Sequence, residues 1–215
     1  MTGDLFGDSL PAPPPTLPDG AALLRGFALA EADAVLAAVA QVLAAAPPRH
    51  FRTPGGRRMS VAMSCCGERG WVSDARGYRY SATDPATGKP WPAMPDVLRE
   101  LAVAAAAAAG YRAFAPDACL INRYEPGARM ALHQDRDEAD FSQPIVSVSL
   151  GLPVTFLFGG ATRSAPVTRF TLQHGDVLVW GGASRLFFHG VAPLADGEHP
   201  ATGRCRLNLT FRRAR

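Results

Sequence analysis

Cys205-Arg206-Leu207-Asn208-Leu209-Thr210-Phe211-Arg212 alternates without a break. Cys205, Leu207, Leu209 and Phe211 fall on one face of an extended chain, and Arg206, Asn208, Thr210 and Arg212 fall on the other. A period of two is the signal of a strand between two unlike environments. The polar face has two possible settings. In an antiparallel sheet with one solvated side it is an ordinary outer surface. Pointing into a barrel, it buries two guanidinium groups that need anionic partners, because an unpaired buried charge is very costly. A small dicarboxylate meets that need, since arginine binds carboxylates through two parallel hydrogen bonds.

Upstream of this strand, similar segments recur between Gly, Pro and Asp breaks, at residues 119–124, 145–150, 154–158, 168–172, 177–180 and 186–191. Many short strands predict a sandwich or jelly roll, a mainly β fold. Two flanking helices are expected. The first spans about residues 31–46, with Val35, Leu36, Val39, Val42 and Leu43 on one stripe and Pro47-Pro48 as its stop. The second runs from Pro95-Asp96 to Gly110. Residues 1–20 hold Pro11, Pro13, Pro14, Pro15 and Pro18 and read as an extended arm, leaving residues 21–215 as a single domain.

His133 and Asp135 are two apart, so in an extended chain both point to one side. His189 follows two phenylalanines in a strand-like run and can reach the same ion from another part of a sheet. Two histidines and one carboxylate occupy one face of an octahedral metal and leave the opposite positions open, as in non-haem Fe(II) oxygenases. Taken singly, the residues have plainer readings. A short His-x-Asp match arises by chance, and a histidine beside phenylalanines is commonly a hydrogen-bonded core residue. Their joint occurrence with the arginine-bearing strand makes the metal reading specific.

The chain has 215 residues, 47% hydrophobic and 19% charged, enough for one substantial core. No apolar run is long enough to span a membrane, and the start carries acidic residues without a basic leader, so a cytoplasmic enzyme is expected. Four cysteines, two of them the adjacent Cys65 and Cys66, lack zinc-finger spacing and are expected to be free structural thiols. The net charge of +3 does not itself imply nucleic acid, but its distribution is uneven. Residues 51–80 carry 6 basic and 2 acidic side chains, and residues 203–215 carry five arginines and no acid. Trp71, Tyr78 and Tyr80 interleave with Arg69, Arg76 and Arg79. Aromatic platforms beside cations can stack bases and track phosphates, whereas the plainer reading is a small satellite core in a solvated charged face. Asp137, with Glu138 and Asp140, fits a solvated acidic loop on its own.

Several runs together resemble the bacterial-type AlkB family of Fe(II)- and 2-oxoglutarate-dependent DNA oxidative demethylases. They are residues 117–124, Leu132-His133-Gln134-Asp135, residues 145–151, Phe187-Phe188-His189-Gly190 and residues 206–212. The similarity extends to Asp4-Leu5-Phe6, to Thr53-Pro54-Gly55-Gly56 and to the segment from Asp84-Pro85 through Pro95. It implies a double-stranded β-helix, or jelly roll, with an N-terminal nucleotide-recognition lid at about residues 51–90. It assigns Fe(II) to His133, Asp135 and His189, and 2-oxoglutarate to Asn122, Tyr124, Arg206, Asn208 and Arg212. Arg206 would reach the distal carboxylate and Arg212 the one near the metal. Substrate contacts fall to Trp71, Tyr78, Tyr80, Asp137 and Arg163. The implied reaction uses O2 to remove methyl groups from 1-methyladenine and 3-methylcytosine, releasing formaldehyde, succinate and CO2. The implied partner is alkylated single- or double-stranded DNA, or RNA, acted on by a monomer. Two other functions share part of this pattern: a dioxygenase acting on protein or small molecules, and a non-catalytic binder of damaged bases.

Overall fold

A computed structural model describes residues 15–215. Most of the proline-rich arm expected at residues 1–20, and the Asp4-Leu5-Phe6 run, lie outside the described residues.

Strand β1 (Ala21–Leu24) is followed by helix α1 (Ala32–Ala45), then β2 (Ala62–Gly67), β3 (Gly70–Asp74), β4 (Gly77–Ser81) and helix α2 (Asp96–Ala108). The remainder is β5 (Ala118–Tyr124), β6 (Met130–His133), β7 (Ile145–Gly151), β8 (Val154–Phe158), β9 (Thr168–Leu172), β10 (Val177–Trp180), β11 (His189–Val191) and β12 (Arg206–Arg212). A six-stranded sheet runs β1-β10-β7-β12-β5-β2, and a four-stranded sheet runs β6-β11-β8-β9. All their pairings are antiparallel. Together they form the jelly roll, while β3 and β4 make a separate hairpin.

The opening alternation takes the buried setting on both faces: every residue of β12 is buried. Leu207, Leu209 and Phe211 join one apolar core with Val35, Val39 and Val42 of α1 and with Leu98, Leu101 and Ala105 of α2. Full burial of a side chain such as Leu209 or Phe211 contributes about 1.5–3 kcal/mol, so this face fixes which way the strand turns. The helices therefore cover the outside of the larger sheet. A second core, with Phe156, Phe158, Trp180 and Leu172, fills the space between the sheets. Arg206, Asn208, Thr210 and Arg212 are directed to that inner side, between β5 and β7.

Both helices fall where the apolar stripes predict. The main difference lies at residues 186–191, where only His189–Val191 is strand. A 3-10 turn at Gly182–Ser184 precedes it, and Arg185 to Phe188 leave the ladder to make side-chain and loop contacts instead. The edge strands β1 and β2 carry little alternation of their own. β1 is pinned by pairing with β10, and β2 by pairing with β5. All four cysteines are free and buried, as the spacing implies.

Candidate active site

The inner side of the roll opens into a cavity of about 860 Å³. Its walls include His133, Asp135, His189, Asn122, Tyr124, Asn208 and Arg212. His133 and His189 are cross-strand partners of β6 and β11, which places their rings 4.4 Å apart, centroid to centroid. Each ring is oriented in the same way. His133 Nδ1 lies 2.9 Å from Ala131 O, and His189 Nδ1 lies 3.0 Å from Phe187 O. A carbonyl only accepts, so both Nδ1 atoms carry a proton, which makes Nε2 the ligating atom of each ring in its neutral form. Those two Nε2 atoms stand 3.6 and 3.7 Å from the carboxylate oxygens of Asp135. Among the described residues, this trio is the one His/Cys/Asp/Glu group placed to hold a metal ion, its ligand atoms lying within 4.8 Å of one another.

Asp135 does not reach this position through strand period. β6 stops at His133, and the chain beyond it is irregular. The carboxylate is instead gripped by Arg212, whose Nε and Nη2 donate to Oδ2 at 3.0 and 2.6 Å. Burial works against ionising Asp135, but Arg212 and the two imidazoles outweigh it and hold the carboxyl well below the usual carboxylate range. His189 is pushed down to about 4 by burial and by neighbouring His133, against the pull of Asp135, so its ring is neutral at neutral pH. An ionised carboxylate and free imidazole nitrogens are the protonation states a divalent metal requires. Phe156 stacks on His189 at 6.0 Å and Trp180 meets it edge-on at 4.9 Å, restricting the ring further.

Next to the triad lies a polar ladder. Asn208 and Asn122 are register partners on β12 and β5, and Asn122 Nδ2 donates to Asn208 Oδ1 at 3.1 Å. Asn208 Nδ2 donates to Ser147 Oγ at 2.8 Å. Arg206, 1% exposed, lays its guanidinium over the Tyr124 ring at 5.0 Å and donates Nη2 to Ser149 Oγ at 2.9 Å. Its Nε and Nη1, and Asn122 Oδ1, are buried without a partner among the described residues. A cation left two donors short in the interior fits an anionic ligand that supplies acceptors. The donor set therefore suits a redox-active divalent metal beside a small dicarboxylate.

The residues expected to meet a base take different places. Trp71, Tyr78, Asp137 and Arg163 all border the cavity. Trp71 stacks on Tyr78 at 5.6 Å with 14° between planes, and its Nε1 donates to Asp137 Oδ2 at 2.7 Å. Arg163 packs over Phe188 at 4.9 Å and donates to Leu132 O at 2.6 Å. Tyr80 is not part of the cavity wall; its hydroxyl donates to Glu138 at 2.6 Å. Of the arginines interleaved with these aromatics, Arg76 and Arg79 are engaged by Asp74. Exposed Arg57, Arg58, Arg129 and Arg136 join Arg163 at the cavity instead.

Glu138 is the clearest departure from the sequence reading. Its side chain is 2% exposed and ion-paired to Arg185, itself 3% exposed, so it is no part of a solvated acidic loop. In the sequence Arg185 reads only as the start of the strand-like run that carries His189, with no role of its own. The only local signal was its place four residues before His189.

The 2OG-Fe(II) oxygenase superfamily model matches residues 20–212. The chain is 56% identical to the alpha-ketoglutarate-dependent dioxygenase AlkB of Escherichia coli (strain K12), over 98% of this chain and 97% of that protein. It is 47% identical to the AlkB homolog of Caulobacter vibrioides (strain NA1000 / CB15N), over 85% of this chain and 80% of that one. The solved structure of OsALKBH1 superposes with a TM-score of 0.78 at 31% identity, covering 92% of this chain and 98% of that chain. The chain belongs to the AlkB family of alpha-ketoglutarate-dependent dioxygenases, within the 2OG-Fe(II) oxygenase superfamily.

Proposed function

We propose that this enzyme repairs DNA by oxidatively demethylating 1-methyladenine and 3-methylcytosine, with Fe(II) held by His133, Asp135 and His189. The convergence of both Nε2 atoms on one ionised carboxylate is the observation that carries this reading. Asn122, Tyr124, Arg206, Asn208 and Arg212 take 2-oxoglutarate. The two unsatisfied Arg206 donors favour that residue as the grip on the distal carboxylate. When bound, Fe(II) with 2-oxoglutarate and O2 supplies the oxidation: one oxygen atom enters succinate as CO2 leaves, and the other enters the methyl C–H bond.

The protein's own residues bind, orient and shield. Arg212 keeps Asp135 ionised and aimed at the imidazoles. The Trp71–Tyr78 platform stacks the modified base, and the exposed Asp137 carboxylate beside it suits the positive charge that N-methylation gives the ring. Once hydroxylated, the methyl group leaves as formaldehyde and its bonding pair returns to the ring nitrogen, so the strand stays intact. A pairing-edge methyl is inaccessible inside a duplex, so the base is flipped or presented on a single strand. The β3–β4 hairpin, within residues 51–90, serves as the lid over it, Arg163 completes the substrate side, and Tyr80, outside the cavity wall, acts there only through Glu138. The domain spans residues 21–215 after an N-terminal arm. The enzyme acts as a monomer in the cytoplasm, on DNA and on RNA strands that carry the same lesions.

The test is formaldehyde release from 1-methyladenine or 3-methylcytosine oligonucleotides, in DNA and RNA form, against a methylated peptide. Release from the oligonucleotides alone supports the proposal. Equal or greater release from the peptide would transfer the chemistry to another substrate class. Lesion binding without any turnover would leave a damaged-base binder.

A further inference from the structure

Asp135 lies in a stretch without sheet pairing, between the end of β6 at His133 and the start of β7 at Ile145. Something other than a ladder must set its distance from His189. Arg185 sits on the segment leading into His189 and spans the gap. Its Nη1 donates to Asp135 O at 2.8 Å, its Nε to Gln143 O at 2.9 Å and its Nη2 to Glu138 Oε2 at 3.0 Å. The other oxygen of Glu138 receives the Tyr80 hydroxyl at 2.6 Å and faces Arg212 Nε at 3.4 Å. Arg212 in turn holds the Asp135 carboxylate. Asp135 is thus restrained at its backbone by one arginine and at its side chain by another, with Glu138 bridging the two.

We propose that the buried Arg185–Glu138 pair is a positioning device that fixes Asp135 relative to His189 before metal arrives. The inference rests on the reading of His133, Asp135 and His189 as the metal ligands. Two arginines and two carboxylates make a neutral cluster, so the charges are compensated. A buried ion pair is nevertheless seldom more stabilising than apolar side chains of the same volume. What the pair supplies that apolar residues cannot is a directed restraint: three guanidinium donors aimed at three acceptors on the Asp135–Gln143 segment. Neither residue is placed to ligate the metal; both act through Asp135.

The full-length, chelator-stripped protein titrated with Co(II) tests this, reading the dissociation constant and the visible Co(II) spectrum. Arg185→Met and Glu138→Gln are each expected to weaken Co(II) binding by about 10- to 100-fold, the usual effect of removing a partner that orients a ligand. Because either change leaves a buried charge unpaired and can unfold the protein, the decisive variant replaces both, as Arg185→Met with Glu138→Leu. It is expected to melt at or above the wild-type temperature and still bind Co(II) weakly, with an altered spectrum. Wild-type affinity and spectrum in that folded double variant would overturn the inference, leaving the pair a structural filler. His133→Ala is the separate control. If it too bound Co(II) as wild type does, the metal site itself would be misassigned, and this inference would fall with it.

Discussion

His133 and His189 face each other directly across the β6–β11 pairing, and each donates Nδ1–H to the carbonyl two residues before it. That shared arrangement turns both Nε2 atoms toward Asp135. The consequence is unequal roles for the three residues when mutated. His133 has a side chain 34% exposed, so His133→Ala should abolish tight metal binding with a stability change within about 1 kcal/mol. Asp135→Ala leaves Arg212 as a buried cation short of its main partner and should cost about 3–5 kcal/mol in the metal-free protein. Urea unfolding with chelator present, beside metal titration, checks both; equal stability losses would contradict the asymmetry.

Arg206→Met should separate function from stability in the opposite sense. Two of its guanidinium nitrogens lack partners among the described residues, so removing the charge is expected to leave the ligand-free melting temperature unchanged or raised. Each charge-assisted hydrogen bond to a carboxylate is worth about 1.5–3 kcal/mol, so 2-oxoglutarate affinity should fall about 10- to 100-fold or more. Differential scanning calorimetry and 2-oxoglutarate titration measure the two effects. A large drop in melting temperature would mean the guanidinium is already satisfied in the ligand-free protein.

Gly190 allows β11 to approach β6 closely. A Cβ there would stand 2.8 Å from Met130 O and 3.2 Å from Leu132 N, both backbone atoms. Gly190→Ala should therefore push β6 and β11 apart and separate His133 from His189. The expected result is weaker metal binding together with a stability loss of about 1–3 kcal/mol, as for other overpacked sites. Metal affinity equal to wild type would show that the approach is not needed.

Trp71→Ala removes the inner half of the Trp71–Tyr78 stack and the donor to Asp137. Base stacking on an aromatic side chain is worth about 1–3 kcal/mol, so KM for a methylated single strand should rise about 5- to 150-fold. Decarboxylation of 2-oxoglutarate without nucleic acid should be unaffected. Steady-state assays on oligonucleotides decide it, and an unchanged KM removes Trp71 from the substrate site.

Acid sensitivity is expected from a histidine outside the site. His174 Nδ1 accepts the Gly151 N–H at 3.0 Å, and its ring lies 4.5 Å from that of His199. Burial, then His199, lower its pKa below the ordinary value, with Asp33 opposing. A histidine whose folded pKa is depressed gives stability that is fully present above its unfolded value of about 6.5 and is lost as pH falls through the folded value. Unfolding free energy should therefore decline below about pH 6.5, and His174→Gln should flatten part of that decline. An identical slope in the variant would assign the effect elsewhere.

Elements with strong periodic patterns are legible from local chemistry. β12 alternates apolar and polar residues over its whole length, and the helix stripes end at Pro47 and Gly110, so local chemistry sufficed to place them. The metal ligands were legible because few side chains serve that chemistry and their spacing is restrictive. Tertiary structure alone decided which side of β12 faced water, and the answer was neither: helices cover one face and the second sheet covers the other. It also decided how Asp135 comes to its place. Strand period suggested that His133 and Asp135 share a face, yet the strand ends between them and the alignment is made by Arg212 and Arg185, which lie 77 and 50 residues away in sequence. Glu138 reads as a solvated acid beside Asp137 and Asp140, and becomes buried only because Arg185 and Tyr80 reach it from distant segments. A charge's environment is set by whatever packs against it, and no local window of sequence contains those partners.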